Sequence, residues 1–439
     1  MINKKYTTAT LLLYFSFIIS YSLFLPSCSL TKRISGQATK LLIEDTAIRS
    51  GHIGISIYEP AKGRYWYEHN GDNFFVPASN VKLFTLYAGM KYLGDSLIGL
   101  RYLEANDSTT LIQSTGDPTF LHPDFNSNKI YSFLKLKNKI KRTPSVFTDY
   151  LGNGWAWNDY TENYMAQRSD FPLYGNIILV KRYNSDSVTA VPSFFSKNIS
   201  IPLPLKTGFT IKKSWDTNDI VLTNGTRQTS EIPFRPDMLT INQLLEDTLH
   251  KRIETETVTQ GRKNFKIIHS QASDSLFKIM MHRSDNFFAE QTLLMASNEL
   301  LGYMSERKLI DTLLKSDLKD IPQVPRWVDG SGLSRYNLFT PQSFVYLLEK
   351  LKKEYSWERL KTILATGNEG TLEGYYLSEK GSIFAKTGTL TSQLALSGYM
   401  ITKKNKLLIF SVMAGNYRTA ATPIRKAIEK FLIGIREKY

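Results

Sequence analysis

Ser79 and Lys82 stand one helical turn apart in Ser79-Asn80-Val81-Lys82, a hydroxyl beside an amine able to take its proton. Two further words complete a set. Ser284-Asp285-Asn286 supplies a second hydroxyl with a carboxamide next to it. Lys386-Thr387-Gly388-Thr389 supplies a cation flanked by hydroxyls. A nucleophile, a base, a proton relay and an anion grip are what acyl transfer through a serine ester requires.

Each word alone is weak, and the chain holds copies. Ser-x-x-Lys recurs at Ser132/Lys135, Ser275/Lys278, Ser305/Lys308 and Ser316/Lys319, Lys-Thr-Gly at Lys206-Thr207-Gly208, and Ser-x-Asn at Ser196/Asn198. Context separates them. Pro77 and the apolar stretch 81–92 put Ser79 at a helix start, where the dipole favours developing negative charge. Ser284 falls on a tight connection between two helical patterns, 274–283 and 286–301. Lys386 follows an extended stretch, 382–385, and precedes two strand-like runs, 395–402 and 406–414. The copies at 196–208 read as ordinary loop residues.

In this scheme Ser79 attacks a peptide or lactam carbonyl. The chain has no Gly-x-Ser-x-Gly elbow, and its six histidines form no evident partnership with a serine, so Lys82 is the available base. A lysine base must be neutral, which calls for desolvation or a neighbouring cation; Lys386 is the candidate cation. Ser284 is expected to pass a proton to the leaving amine, and Asn286 to hold Lys82 and the substrate amide. Lys386, Thr387 and Thr389, across Gly388, are expected to grip a terminal carboxylate. The backbone N–H groups of Ser79 and Thr389 are candidate oxyanion donors. No metal or cofactor is needed.

These residues need a scaffold. The run 53–59 alternates like a strand, and 64–69 reads as its hairpin partner. Strands at 395–402 and 406–414 form a second hairpin. A last helix carries Ile424, Ala427, Ile428, Phe431 and Ile435 on one face. The expected fold class is α/β (α+β): one antiparallel sheet built from both chain ends, flanked by helices, as residues 41–94 and 261–439. Residues 95–260, rich in aromatics and short β-like runs such as 177–180, 188–191 and 219–223, read as an inserted, mainly β module.

With 439 residues, 42% hydrophobic and 22% charged, the chain can build two or three folded domains. Lys4 and Lys5 precede an apolar run, 11–25, short for a membrane span and suited to a signal-peptide core at residues 1–27. Leu25-Pro26-Ser27-Cys28 resembles a lipobox, so Cys28 is a lipidation candidate and 28–40 a polar tether. With no other cysteine, the chain has no internal disulfide and no Cys-rich zinc site. Export to the periplasm or cell envelope follows. The net charge is +15, and +13 once residues 1–27 and their two lysines are removed. In an exported chain that charge meets anionic envelope polymers and not nucleic acid. The densest basic run, Lys135, Lys137, Lys139, Lys141 and Arg142, alternates with apolar residues and reads as the solvated face of an edge strand.

The three words together mark serine β-lactamases and penicillin-binding proteins. Four longer stretches extend the likeness: Ser114–Phe120 around Gly116-Asp117-Pro118-Thr119, Gly154-Trp155-Ala156-Trp157-Asn158-Asp159, Val328–Arg335 and Ala385–Tyr399. With these the chain, over residues 45–415, resembles the class C low-molecular-mass penicillin-binding proteins, the penicillin-binding protein 4 type of D-alanyl-D-alanine carboxypeptidase/endopeptidase. The resemblance implies a transpeptidase-like domain with an insertion after the nucleophile helix. It implies cleavage of D-Ala-D-Ala ends and crosslinks in peptidoglycan, and acylation by β-lactams. It places Asp159 and Arg335, with Tyr164 near, where the family reads the substrate's side chain. Two alternatives stay open: a serine β-lactamase or esterase on this fold, and a non-catalytic peptidoglycan-binding protein.

Overall fold

The structure, a computed structural model, describes residues 25–439 apart from 107, 144, 146, 148, 185, 186 and 257–263. The leader read at 1–27 lies outside the described residues up to residue 24. The Cys28 side chain is not among those described.

Both ends of the chain build one antiparallel sheet. β1 (His52–Glu59) and β2 (Arg64–His69) come from the start, and β14 (Ala365–Thr366), β15 (Ile383–Leu390), β16 (Gln393–Ile401) and β17 (Leu407–Gly415) from the end. Their order is β14-β15-β16-β17-β1-β2. Register pairs Ile55 with Val412 and Leu396 with the same valine, so all three share a face. Side chains alternate: Ile53, Ile55, Ile57, Leu394 and Leu396 enter one core, Ala395, Tyr399, Ile409 and Met413 the other. With both faces covered, β16 and β17 have no solvent side to advertise, which is why they read as apolar runs.

The first face is covered by α10 (Ala421–Lys438), through Ile424, Ile428, Phe431 and Ile435, and by α1 (Leu25–Ala38). This corrects the expected tether at 28–40. Leu30, Ile34, Ala38 and Leu42 recur every fourth residue, so a polar segment carries one apolar helical stripe. Ile34, Ala38 and Leu42 are fully buried in the same core as α10.

Against the second face pack α2 (Lys82–Tyr92), α5 (Ser273–His282), α6 (Asn286–Leu301) and α8 (Pro341–Glu354). α2 and α6 are buried on nearly all sides and pack on each other, as helices without a polar face must. Asp285 caps α6, its carboxylate accepting from Phe288 N at 2.9 Å. The paired helices bring Lys82 and Asn286, the first residue of each, face to face.

Residues 96–272 build three smaller sheets. One has the order β12-β5-β4-β3-β13, from β3 (Ser96–Glu104), β4 (Thr109–Gln113), β5 (Lys139–Thr143), β12 (Ile253–Thr255) and β13 (Lys266–Ala272). The others join β6 (Ile177–Arg182), β7 (Val188–Val191) and β11 (Thr229–Pro233), and β8 (Ile199–Ser200), β9 (Gly208–Lys213) and β10 (Ile220–Gly225). They share a core that includes Leu100, Ile112, Phe171, Phe195, Phe209 and Leu244, the last from α4 (Met238–Leu249).

The basic run is the second correction. Lys135 ends α3 (Lys129–Lys135), and β5 is no edge strand: it lies between β4 and β12. Arg142 turns inward. Its Nη2 reaches both carboxylate oxygens of Asp170 at 2.6 and 2.7 Å, and its Nη1 reaches Asn242 Oδ1 at 2.7 Å. Lys137, Lys139 and Lys141 pair outward with Glu104, Glu254 and Glu256.

Candidate active site

Ser79 sits on a short 3-10 turn, Ala78–Val81, that runs directly into α2. Ala78 is held at φ +47°, a left-handed conformation that costs a residue with a side chain roughly 1–2 kcal/mol. Lys82 is fully buried. Its Nζ lies 2.9 Å from Ser79 Oγ, 2.7 Å from Asn286 Oδ1 and 2.6 Å from the Ser331 carbonyl oxygen. Two of those three partners can only accept. When the amine is neutral they take its two hydrogens, and its lone pair is left for the Ser79 hydroxyl.

Burial pushes Lys82 down to about 8, against an opposing pull from Asp329, Asp285 and Glu290. Desolvation therefore does what was expected of Lys386. Lys386 is itself buried and held well below an ordinary lysine, first by burial and then by the charge of Lys82. Its Nζ donates to Ser284 Oγ at 2.9 Å and to the Thr387 carbonyl at 2.7 Å. Ser284 stands at φ +60° on the connection between α5 and α6.

β14 pairs with β15 only at Phe384 and Ala385, so beyond them that edge of β15 is open. The hairpin of β15 and β16 closes on the Leu390–Gln393 pair. Alternation then turns the N–H and C=O of Thr387 and Thr389 to the open edge. At Gly388 a Cβ would come within 2.4 Å of the Pro77 carbonyl, so only glycine lets the strand lie against the serine's turn. Gly332, at φ +85°, does the same from the other side: a Cβ would sit 2.0 Å from the Ala78 carbonyl.

A loop after α6 completes the wall. Asp329 is fully buried and accepts from Gly332 N, Ser334 N, Asn337 Nδ2 and Trp155 Nε1. Ser331 N donates to Glu290 Oε1 at 2.7 Å, and Glu290 also meets the buried Arg168. The carbonyl offered to Lys82 is thus held by Glu290. Burial pushes the Glu290 carboxyl up to about 7. Sequence reasoning missed the Ser331 carbonyl and Glu290; the glycine-rich word Val328–Arg335 was the available signal.

Asp159 and Arg335 sit at the rim. The Tyr164 hydroxyl is bonded to Asp159; burial, then this bond, pushes it up to about 12. The Tyr164 carbonyl accepts from Asn286 Nδ2 at 2.9 Å, so Asn286 keeps one N–H for a substrate. Arg335 is exposed and donates through both terminal nitrogens to the Thr391 carbonyl, at the tip of the β15 hairpin. Beside Ser284 and Asn286 opens a groove of about 670 Å³, lined by Tyr164, His122, Asp124, Glu231 and Arg283 among others. The repeated words lie elsewhere. Thr207 bonds the Gly225 carbonyl, Asn198 bonds Asp219, and Ser305 merely caps a helix.

What the two layers enclose is the machinery of a serine hydrolase of the β-lactamase and penicillin-binding type. The sequence profile of the D-Ala-D-Ala carboxypeptidase 3 (S13) family matches residues 37–434, and the chain belongs to that family. It is 24% identical over 461 residues to the D-alanyl-D-alanine carboxypeptidase DacB of Haemophilus influenzae, covering 92% of each chain. It is 23% identical over 463 residues to the penicillin-sensitive carboxypeptidase A of Dictyostelium discoideum, covering 87% of this chain and 86% of that one. The crystal structure of penicillin-binding protein 4 from Haemophilus influenzae shares the fold, with a TM-score of 0.73 at 19% identity over 92% of this chain and 99% of that one.

Proposed function

We propose that this chain removes the terminal D-alanine of peptidoglycan stem peptides, and opens D-alanyl crosslinks, through an ester on Ser79. Family membership supplies the substrate class. One observation carries the chemistry: Lys82 Nζ is buried, has no carboxylate among its hydrogen-bond partners, and lies 2.9 Å from Ser79 Oγ.

Neutral Lys82 takes the Ser79 proton as Oγ attacks the carbonyl carbon of the penultimate D-alanine. The Thr389 N–H on the open edge and the Ser79 N–H stabilise the oxyanion, each worth on the order of 10²–10³ in rate. The tetrahedral adduct collapses by expelling the amine. Its proton comes from Ser284 Oγ, which Lys386 Nζ holds by a hydrogen bond at 2.9 Å. Asn286 holds Lys82 through Oδ1. Attacking water then gives a proton to Ser284 Oγ as it opens the ester, and Lys82 returns its own to Ser79 Oγ, so both serines and Lys82 end as they began. The family likeness supports assigning Asp159, Tyr164 and Arg335 to the end that reads the stem peptide's side chain. A β-lactam presents the same carbonyl and carboxylate, and acylates Ser79 without a departing amine.

The leader at 1–27 and the Leu25-Pro26-Ser27-Cys28 word support export and a lipid on Cys28, which places the enzyme beside its polymer. Labelling with radioactive palmitate, lost in Cys28→Ser, checks the anchor.

Mass spectrometry of muropeptides after incubation tests the main reading. Loss of one alanine from monomers and splitting of dimers are expected, together with fluorescent-penicillin labelling; all three should vanish in Ser79→Ala. Cleavage that persists in Ser79→Ala would sink it.

A further inference from the structure

The open edge of β15 carries more than its two threonines. Arg425, near the start of α10, places Nη2 2.8 Å from Thr389 Oγ1. A guanidinium has only donors, so the threonine oxygen accepts. A hydroxyl that accepts there must direct its own hydrogen elsewhere, and Thr389 is exposed on the edge that faces the site. Among the described residues, no salt bridge neutralises Arg425, unlike Arg436 further along α10, which pairs with Glu379 at 2.6 Å.

Behind the strand lies a small cavity of about 30 Å³ lined by Thr387, Thr389, Arg425, Thr371 and Tyr376. Thr371 Oγ1 and Tyr376 Oη are buried and have no hydrogen-bond partner. The rest of that wall is apolar, with Leu372, Leu394, Leu396 and Ile428, so the partner the guanidinium finds there is the Thr389 hydroxyl. Lys386 cannot do the same work from the other face. Its amine is committed to Ser284 Oγ and the Thr387 carbonyl, and burial works against its charged form. An arginine keeps its charge at any physiological pH.

We propose that Arg425 is a positioning residue for the substrate's terminal carboxylate: it turns the Thr389 hydroxyl hydrogen toward that carboxylate and supplies the permanent positive charge behind it. This rests on the reading that the carboxylate docks at Thr387 and Thr389. Lys386 is thereby released to serve Ser284.

Two peptides test it, identical except that one ends in D-Ala-D-Ala with a free carboxylate and the other in its carboxamide. Wild type prefers the carboxylate. Arg425→Ala lowers kcat/KM on the carboxylate peptide about tenfold, mainly through KM, and leaves the carboxamide unchanged, so the preference collapses. Arg425→Lys recovers part of it, since charge returns without the fork. Because the readout is a ratio within one variant, loss of folded protein does not mimic it. Equal losses on both peptides, or an intact preference, overturn the assignment while leaving Ser79 catalysis standing. A wild type inert toward both peptides and toward penicillin overturns both readings.

Discussion

Arg142 and Lys82 are both buried cations, one in the inserted sheet and one beside the nucleophile. Arg142 is met by both oxygens of Asp170, and Arg168 nearby is met by Glu290 and Glu306. Lys82 and Lys386 are met only by hydroxyls, one carboxamide and main-chain carbonyls. A carboxylate partner offsets desolvation and fixes the charge for the life of the fold. Without one, burial works against the charged form, and the amine moves toward neutrality. At Lys82 and Lys386 the chain leaves that imbalance in place, as it does at the buried Lys213 of the inserted part, whereas at Arg142 and Arg168 carboxylates remove it.

Lys82→Met is the sharpest way to break the contrast. Stopped-flow acylation by a fluorescent penicillin should slow by about 10²–10⁴-fold, while the thermal midpoint holds or rises, since a desolvated amine has gone. Unfolding, as for a structural cation, would erase the distinction. Arg142→Ala is the mirror experiment. Stranding Asp170 should lower stability by about 3–5 kcal/mol in urea melts, with acylation of the folded fraction unchanged. The third prediction concerns pH. Lys82 is the base, so acylation should climb as pH rises through about 8 and flatten above it. Stability follows the same sign. The folded lysine sits below its unfolded value, the native state binds fewer protons between them, and stability rises with pH across that window. A pH-independent acylation rate would remove Lys82 from the base role. The smallest effect belongs to the half-exposed pair of Lys137 and Glu104, where Lys137→Ala should shift stability by less than about 1 kcal/mol and leave activity alone.

Much of the site was legible because its words are local. Ser79 and Lys82 meet within one turn, and Asp285 caps the helix that begins at Asn286. The strands of the central sheet were legible too, from period-two alternation at 53–59 and paired apolar runs near the C-terminus. What stayed hidden depends on partners far along the chain. β5 alternates as an edge strand would, but Ile140 pairs with Ile253 on one side and Thr110 on the other, and nothing local encodes that. The Ser331 carbonyl beside Lys82 is a main-chain atom, invisible to any pattern of side chains. The stripe of Leu30, Ile34, Ala38 and Leu42 was masked by polar neighbours, which composition weighs equally with it. The low pKa of Lys82 comes from burial, a property of the finished fold.

The shortness of β14 reaches beyond catalysis. Its two residues leave the backbone of Lys386 to Leu390 as an unfinished ladder, and an unfinished ladder recruits any stretched-out polypeptide that drifts past. That stretch is five residues long, so it offers a passing strand only a few main-chain partners. A stem peptide docked there, as proposed, would add a temporary seventh strand to the sheet.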